Sequence, residues 1–261
     1  MLKPNSDIAP IFVIGSARAG TSALVSVLRD VAHIPADHEG HLVSMIHTLL
    51  RASREHADAI RAQGATVVRV GSDVIEDSIL DAVRNMQESA FPGAPVWLDK
   101  TPDGPTIRAI PYILRMWPKA RFIYAKRRGI ENVVSRTRKF PHLAFSEHCE
   151  RWCIALNLWK ERKQSIPRGS WIEVEQREMA LQPEKTAQEL GDFLGFDQAT
   201  TQAVARAFAT VRPESTGGNE KVPVSINSVG WSQIQIDMYR NICGHVAAEW
   251  GYSEDENYYS R

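Results

Sequence analysis

The sequence predicts an α/β protein: a three-layer sandwich with a central, mainly parallel sheet flanked by helices. The first observation is a set of short apolar runs, Ile11–Ile14, Val96–Leu98, Arg121–Ala125 and Ser170–Val174, of the length and composition of buried strands. The second is that longer stretches with helical apolar spacing separate them. The third is that three of the four runs end against glycine-bounded or cationic turns, where open α/β sheets bind ligands.

The run at Ile11–Ile14 opens the segment PIFVIGSARAGTSALVSVL, from Pro10 to Leu28. Gly15 and Gly20 bracket a tight loop of Ser16, Ala17, Arg18 and Ala19, and helical spacing resumes at Ala23. Strand, glycine-bounded loop and helix start make a P-loop-type cradle: amides free at the helix N-terminus face an anion, and the helix dipole adds positive charge. The spacing is Gly-x-x-x-x-Gly, but Thr21 and Ser22 follow, where a P-loop kinase or ATPase carries Lys and a hydroxyl. Arg18 is the cation of this loop. The pattern points to an anion site without the usual nucleotide-hydrolysis apparatus.

The 261 residues fit one domain, 1–261, with room for a substantial core. Equal numbers of basic and acidic residues, 31 each, argue against a nucleic-acid or membrane-surface binder. Cys149, Cys153 and Cys243 make neither a disulfide framework nor a metal pattern, and a reducing compartment is the simplest reading. Cys149 and Cys153 read as buried filling on a helix. No apolar stretch approaches the ~18 residues of a membrane span, and the N-terminus lacks an apolar leader. The expectation is a soluble, cytoplasmic protein; oligomeric state is unreadable.

Beyond the loop helix, Pro35 and Gly40 break the periodicity, and His38, Glu39 and His41 crowd the junction. These residues fit a solvated turn as well as a catalytic one. Helical spacing returns from Leu42, Ala65–Val70 reads as a short strand, and Asp73 with Glu76 reads as a capping-box variant opening another helix. The stretch 41–92 carries no chemical signature and is a candidate wall for an acceptor pocket. At the end of the second strand stands Asp99-Lys100-Thr101-Pro102, where Lys100 fits either a ligand site or a surface turn. A helix is expected from Pro105 to Met116, ahead of Pro118.

The third strand runs into Lys126-Arg127-Arg128, and Gly129 turns into a helix bearing Ser135. Seven basic residues against one acid between Arg121 and Lys139 make either a solvated basic face or a second anion site. Phe145–Ile166 reads as a long helix with core aromatics, Pro183–Leu194 as a helix opened by proline and stopped by Gly195, and Gln198–Phe208 as another. Arg212–Pro223 reads as a polar loop, Trp231–Trp250 as a closing amphipathic helix, and GYSEDENYYSR as a solvated tail.

Taken in order, these elements resemble the PAPS-dependent sulfotransferases, PAPS being phosphoadenosine phosphosulfate. The stretch Gly15-Ser16-Ala17-Arg18-Ala19-Gly20-Thr21-Ser22 is similar to that family's 5′-phosphosulfate loop. RFIYAKRRGIENVVS, Arg121 to Ser135, resembles its 3′-phosphate-binding strand, turn and helix, and WLDKTP resembles its strand-end lysine element. The later strand and QPEKTAQELGDFLGF complete a likeness over about residues 10–200. The chain departs from the family at Ala19-Gly20-Thr21-Ser22, where Ser-Gly-Thr-Thr is commoner, and at Arg128-Gly129, where an acidic turn is usual. It also lacks the Arg-Lys-Gly adenine element, for which Arg212 or the Ser215–Gly218 loop is a stand-in.

The resemblance implies transfer of a sulfuryl group from PAPS to an acceptor hydroxyl or amine, releasing phosphoadenosine phosphate (PAP) without a metal. It implies that Arg18, the loop amides, Thr21 and Ser22 hold the 5′-phosphate, that Arg127 and Ser135 hold the 3′-phosphate, and that Lys100 stabilises the leaving oxygen. It places the base at Glu39, as in tyrosine-sulfating members, with His38 and His41 as alternatives. The acceptor is open among small molecules, carbohydrates and tyrosyl peptides. The rival readings are an ATP-dependent P-loop kinase and a non-catalytic nucleotide-binding protein of the same fold.

Overall fold

The computed structural model describes residues 2–102, 104–210 and 223–260. Its sheet has four parallel strands, β1 (Ile11–Gly15), β2 (Leu98–Lys100), β3 (Arg121–Lys126) and β4 (Trp171–Glu175), in the order β2-β1-β3-β4. Phe12 stands opposite Asp99 on one side and Phe122 on the other, and Lys126 stands opposite Glu175. The chain leaves β1 toward β2 on one side and reaches β3 on the other, so the loop after β1 occupies the switch point at the strands' C-terminal ends. The strand period of two sends Phe12, Ile14, Phe122 and Tyr124 into one core, and Ile11, Val13, Ile123 and Ala125 into another on the opposite face.

Helices cover both faces. α1 (Thr21–Asp30) follows the loop, and α2 (Ile46–Ala59), α3 (Thr66–Val70) and α4 (Ser72–Ala90) lie between β1 and β2. α5 (Gly104–Arg108) and α6 (Ile110–Met116) precede β3, and α7 (Gly129–Lys139) and α8 (Phe145–Arg162) follow it. After β4 come α9 (Gln176–Leu181), α10 (Pro183–Leu194), α11 (Gln198–Thr210) and α12 (Gln233–Glu249). Leu24, Val27 and Leu28 of α1 close one core together with Leu190 and Val204 of α10 and α11. Ile46, Leu80, Ile113 and Trp159 fill the other. Cys149, Cys153 and Trp152 lie in a third cluster against α12, buried filling as expected, with all three cysteines free. Among the described residues no helix is long and apolar enough to cross a membrane.

The structure corrects several expectations. Ala65–Val70 is not a strand: Gly64 and Gly71, both at positive φ, isolate a five-residue helix, α3, whose Val68 and Arg69 amides return to the Ala65 carbonyl. Asp73 does not cap α4. Gly71 is the N-cap, and Asp73 sits inside the first turn, where its charge still favours the helix dipole. The Pro105–Met116 helix divides at Ala109, because Pro111 in the first turn of α6 has no N–H to continue the α5 ladder. The second strand lies two residues later than expected, which makes Lys100 its last residue.

The C-terminal segment is not a solvated tail. Tyr252 and Tyr258 are buried, and each hydroxyl donates to the carboxylate of Glu175, at 2.6 Å. Nothing in the spacing of GYSEDENYYSR announces this, because the acceptor carboxylate is contributed by β4, far away in sequence.

Candidate functional site

The described residues singled out in the sequence come from three strand ends, those of β1, β2 and β3, and from the segment after α1, and they lie at the C-terminal end of the sheet. The loop after β1 turns sharply because Gly15 has φ +145 and its missing Cβ would lie 2.1 Å from the Ala125 carbonyl oxygen. Arg18 takes a left-handed conformation, φ 72, unusual for a side-chain-bearing residue. Gly20, also left-handed, is the N-cap of α1, and the first helical bond runs from Leu24 N–H to its carbonyl. The amides of the first turn ahead of Leu24 are therefore available to an anion over the loop.

The turn after β3 is joined to this loop. Arg18 Nε donates to Ser135 Oγ at 3.1 Å, and an Arg127 guanidinium nitrogen donates to the Arg18 carbonyl at 3.1 Å. Asn132, one helical turn into α7, donates to the Ala17 carbonyl at 3.0 Å and accepts from the Ser16 hydroxyl at 3.3 Å. The structure thus brings Arg18, Arg127 and Ser135 together and adds Asn132, which the sequence reading missed. Its position three residues before Ser135 on the same helix face was the available signal. Arg212 and the Ser215–Gly218 loop lie outside the described residues.

Lys100 ends β2 almost buried, its side chain 7 % exposed, with Nζ 2.7 Å from Glu39 Oε1 and 3.2 Å from Ser22 Oγ. Glu39 Oε2 is in turn 2.7 Å from His41 Nε2. Burial raises the Glu39 carboxyl's proton affinity, but Lys100 first, and then His41, pull it further the other way, leaving it below the ordinary carboxylate value. His38 lines the same cavity, yet the carboxylate's partners are Lys100 and His41. The cavity, about 340 Å³, is walled by Ser22, Ser26 and Arg29 of α1 together with His38, Glu39 and Lys100. Ser26 and Arg29 were also missed. They follow Ser22 at i+4 and i+7, a polar stripe on the exposed side of an otherwise apolar helix.

Asp99 supports this wall from behind. It is 1 % exposed, accepts from the Thr101 hydroxyl at 3.0 Å and from Gln87 at 3.3 Å, and Thr101 Oγ1 accepts the His41 amide at 3.0 Å. Gly40 packs so closely that a Cβ there would meet Asp99 Oδ2 at 1.8 Å. Burial raises the Asp99 carboxyl to about 6, against the opposing pull of Thr101 and of the His41 charge. A rigid backbone therefore presents Glu39 and His41 to the cavity. Chemically, the site offers helix-start amides and cations for an anionic ligand, with a carboxylate able to accept a proton beside them. Among the described residues no cluster of metal ligands occurs.

Comparison with known proteins matches this architecture. The chain is 23% identical over 206 residues to protein-tyrosine sulfotransferase 2 of Gallus gallus, covering 76% of this chain but 54% of that one, so it spans about half the length of that relative. Among solved structures it superposes on the sulfotransferase domain of the Synechococcus PCC 7002 olefin synthase with a TM-score of 0.58 at 16% identity, covering 97% of this chain and 98% of that one. It superposes likewise on mouse sulfotransferase SULT7A1 complexed with PAP, with a TM-score of 0.54 at 13% identity, over 95% and 90% of the two chains. The α/β fold around a parallel four-stranded sheet is that of these structures. The family model described as "Sulfotransferase family" matches residues 10–200, a stretch that runs from the start of β1 past the end of α10. The chain belongs to the sulfotransferase family.

Proposed function

We propose that this chain transfers a sulfuryl group from PAPS to an acceptor hydroxyl and releases PAP. The carrying observation is the meeting of Lys100, Glu39 and the first turn of α1 at one cavity wall, beside the Arg18–Arg127–Ser135 cluster. The loop amides, Arg18, Thr21 and Ser22 fit the donor's 5′-phosphate. Arg127, with Ser135, fits its 3′-phosphate, since a guanidinium matches a phosphate's paired oxygens.

Transfer requires little covalent work by the protein and much alignment and charge stabilisation. Glu39 accepts the acceptor's proton as the acceptor oxygen forms its bond to sulfur. The bond from sulfur to the bridging oxygen breaks, its electrons remain on the departing PAP, and Lys100 donates a hydrogen bond to that oxygen. Lys100 held against Glu39 depresses the carboxyl's proton affinity. Engagement of the ammonium by the donor would loosen that hold and let burial raise the carboxyl, so that the base strengthens when the donor is seated.

Calorimetry tests the donor reading directly. PAP is expected to bind without added metal, more tightly than ATP with magnesium, and Arg127→Ala is expected to weaken it by about tenfold or more. Preference for magnesium-ATP would overturn the reading in favour of a kinase. PAP binding with no sulfuryl transfer to any of a panel of phenols, sugars and tyrosyl peptides would favour a binding protein on the same fold.

A further inference from the structure

Buried beneath the Arg127 turn is a polar network that the proposed reaction does not use. The Arg128 side chain is fully buried, ion-paired with Glu131, and it donates to the carbonyls of Ser253 (3.2 Å), Asp255 (2.6 Å) and Val224 (2.7 Å). Its backbone N–H donates to the Tyr258 hydroxyl at 3.0 Å, and that hydroxyl donates onward to Glu175 Oε1 at 2.6 Å. The Tyr258 ring also stacks beneath the Arg128 guanidinium, at 4.8 Å. On the other side of the turn, Trp152 Nε1 donates to the Arg127 carbonyl at 3.0 Å.

The C-terminal segment is itself built to present that hydroxyl. Tyr252 and Tyr259 form an antiparallel bridge, the Ser253 amide donates to the Tyr258 carbonyl at 3.0 Å, and Tyr258 holds φ 71, a left-handed conformation that is costly for an aromatic residue. Glu175 stands opposite Lys126 in the sheet, immediately before Arg127, so its carboxylate is fixed relative to β3. A hydroxyl that is donor to a fixed carboxylate and acceptor from the turn's own amide specifies where that turn sits.

We infer that Tyr258 is a positioning residue for donor recognition: by locking the Arg128 amide to Glu175, it aims Arg127 at the donor's 3′-phosphate. The inference rests on the donor reading above. Tyr252 supplies an internal control, because it is equally buried and its hydroxyl donates to the same carboxylate at 2.6 Å, while the Arg128 amide donates to the hydroxyl of Tyr258.

The experiment compares PAP with adenosine 5′-monophosphate, which lacks the 3′-phosphate, by calorimetry on wild type, Tyr258→Phe and Tyr252→Phe. Wild type is expected to prefer PAP. Tyr258→Phe is expected to bind PAP about tenfold more weakly with adenosine 5′-monophosphate little changed, and Tyr252→Phe is expected to keep the preference. A merely structural role would weaken both nucleotides, or move both variants alike, and would overturn the inference; so would an intact preference in Tyr258→Phe. Equal affinities in wild type would overturn the donor reading itself. If Tyr258→Phe does not fold, amide exchange at Arg128 in wild type decides: PAP is expected to slow it at least about tenfold more than adenosine 5′-monophosphate does, and equal protection by the two would overturn the inference.

Discussion

At the scale of single residues, the site is organised around one carboxylate held by two opposite partners. Glu39 sits between Lys100 and His41, each at 2.7 Å. If it is the base, Glu39→Gln keeps the shape and removes the proton acceptor, so turnover should fall by about 10²- to 10⁴-fold with PAP affinity within a few-fold of wild type. Single-turnover transfer alongside calorimetry separates the two. The pH profile follows from the direction of the shift. A base must be ionised, so activity is lost as pH falls through its pKa. In the free protein, where Lys100 and His41 hold the carboxyl down, the acid limb should lie below the ordinary carboxylate value; with donor bound it should move up. The sequence offered Glu39 as the base only through the resemblance to tyrosine-sulfating members, and its partners Lys100 and His41 were not legible in it. The contact with Lys100 joins the segment after α1 to the end of β2, two stretches that the Ala36–Leu98 bridge brings together.

At the scale of elements, legibility tracked local chemistry. The loop after β1, α10 with Pro183 at its start and Gly195 after it, and the strands β1 and β3 follow from residue types whose preferences are local, and each begins where the pattern put it. The errors fell where a single glycine or proline overrides the preference of its neighbours. Val67, Val68 and Val70 favour a strand by type, yet two positive-φ glycines cut the segment off and it closes as a helical turn. The loop makes the sharpest element-level prediction. Gly15→Ala would place a methyl group against the Ala125 carbonyl at a φ that alanine rarely adopts. It should destabilise the protein by at least about 2 kcal/mol in chemical denaturation, and abolish PAP binding in whatever fraction folds. A variant of wild-type stability and affinity would show that the loop has room to relax.

At the scale of the whole molecule, the C-terminus closes the fold over the sheet end through a buried acid, and this was the least legible feature of all. The polar composition of GYSEDENYYSR is that of a solvated tail, and burial becomes favourable once Glu175 and Arg128 supply partners for its hydroxyls and carbonyls. The arrangement has a thermodynamic signature. Burial raises the Glu175 carboxyl from 4.5 to about 7, while the two tyrosine hydroxyls and the Lys126 charge oppose it. A folded pKa above the unfolded one means that the native state binds more protons in between. The stabilisation is complete below 4.5 and is lost as pH rises toward and through about 7. Integrated over that interval, this amounts to about 3 kcal/mol, an upper bound for a network able to relax. Glu175→Gln cannot ionise and escapes the loss. Its stability relative to wild type should therefore rise steadily between pH 4.5 and 7 and level off above, measured by urea unfolding at each pH. A difference that stays flat across that interval would mean that Glu175 ionises in the folded protein as readily as in the unfolded chain, its charge fully met by the tyrosine hydroxyls and Lys126.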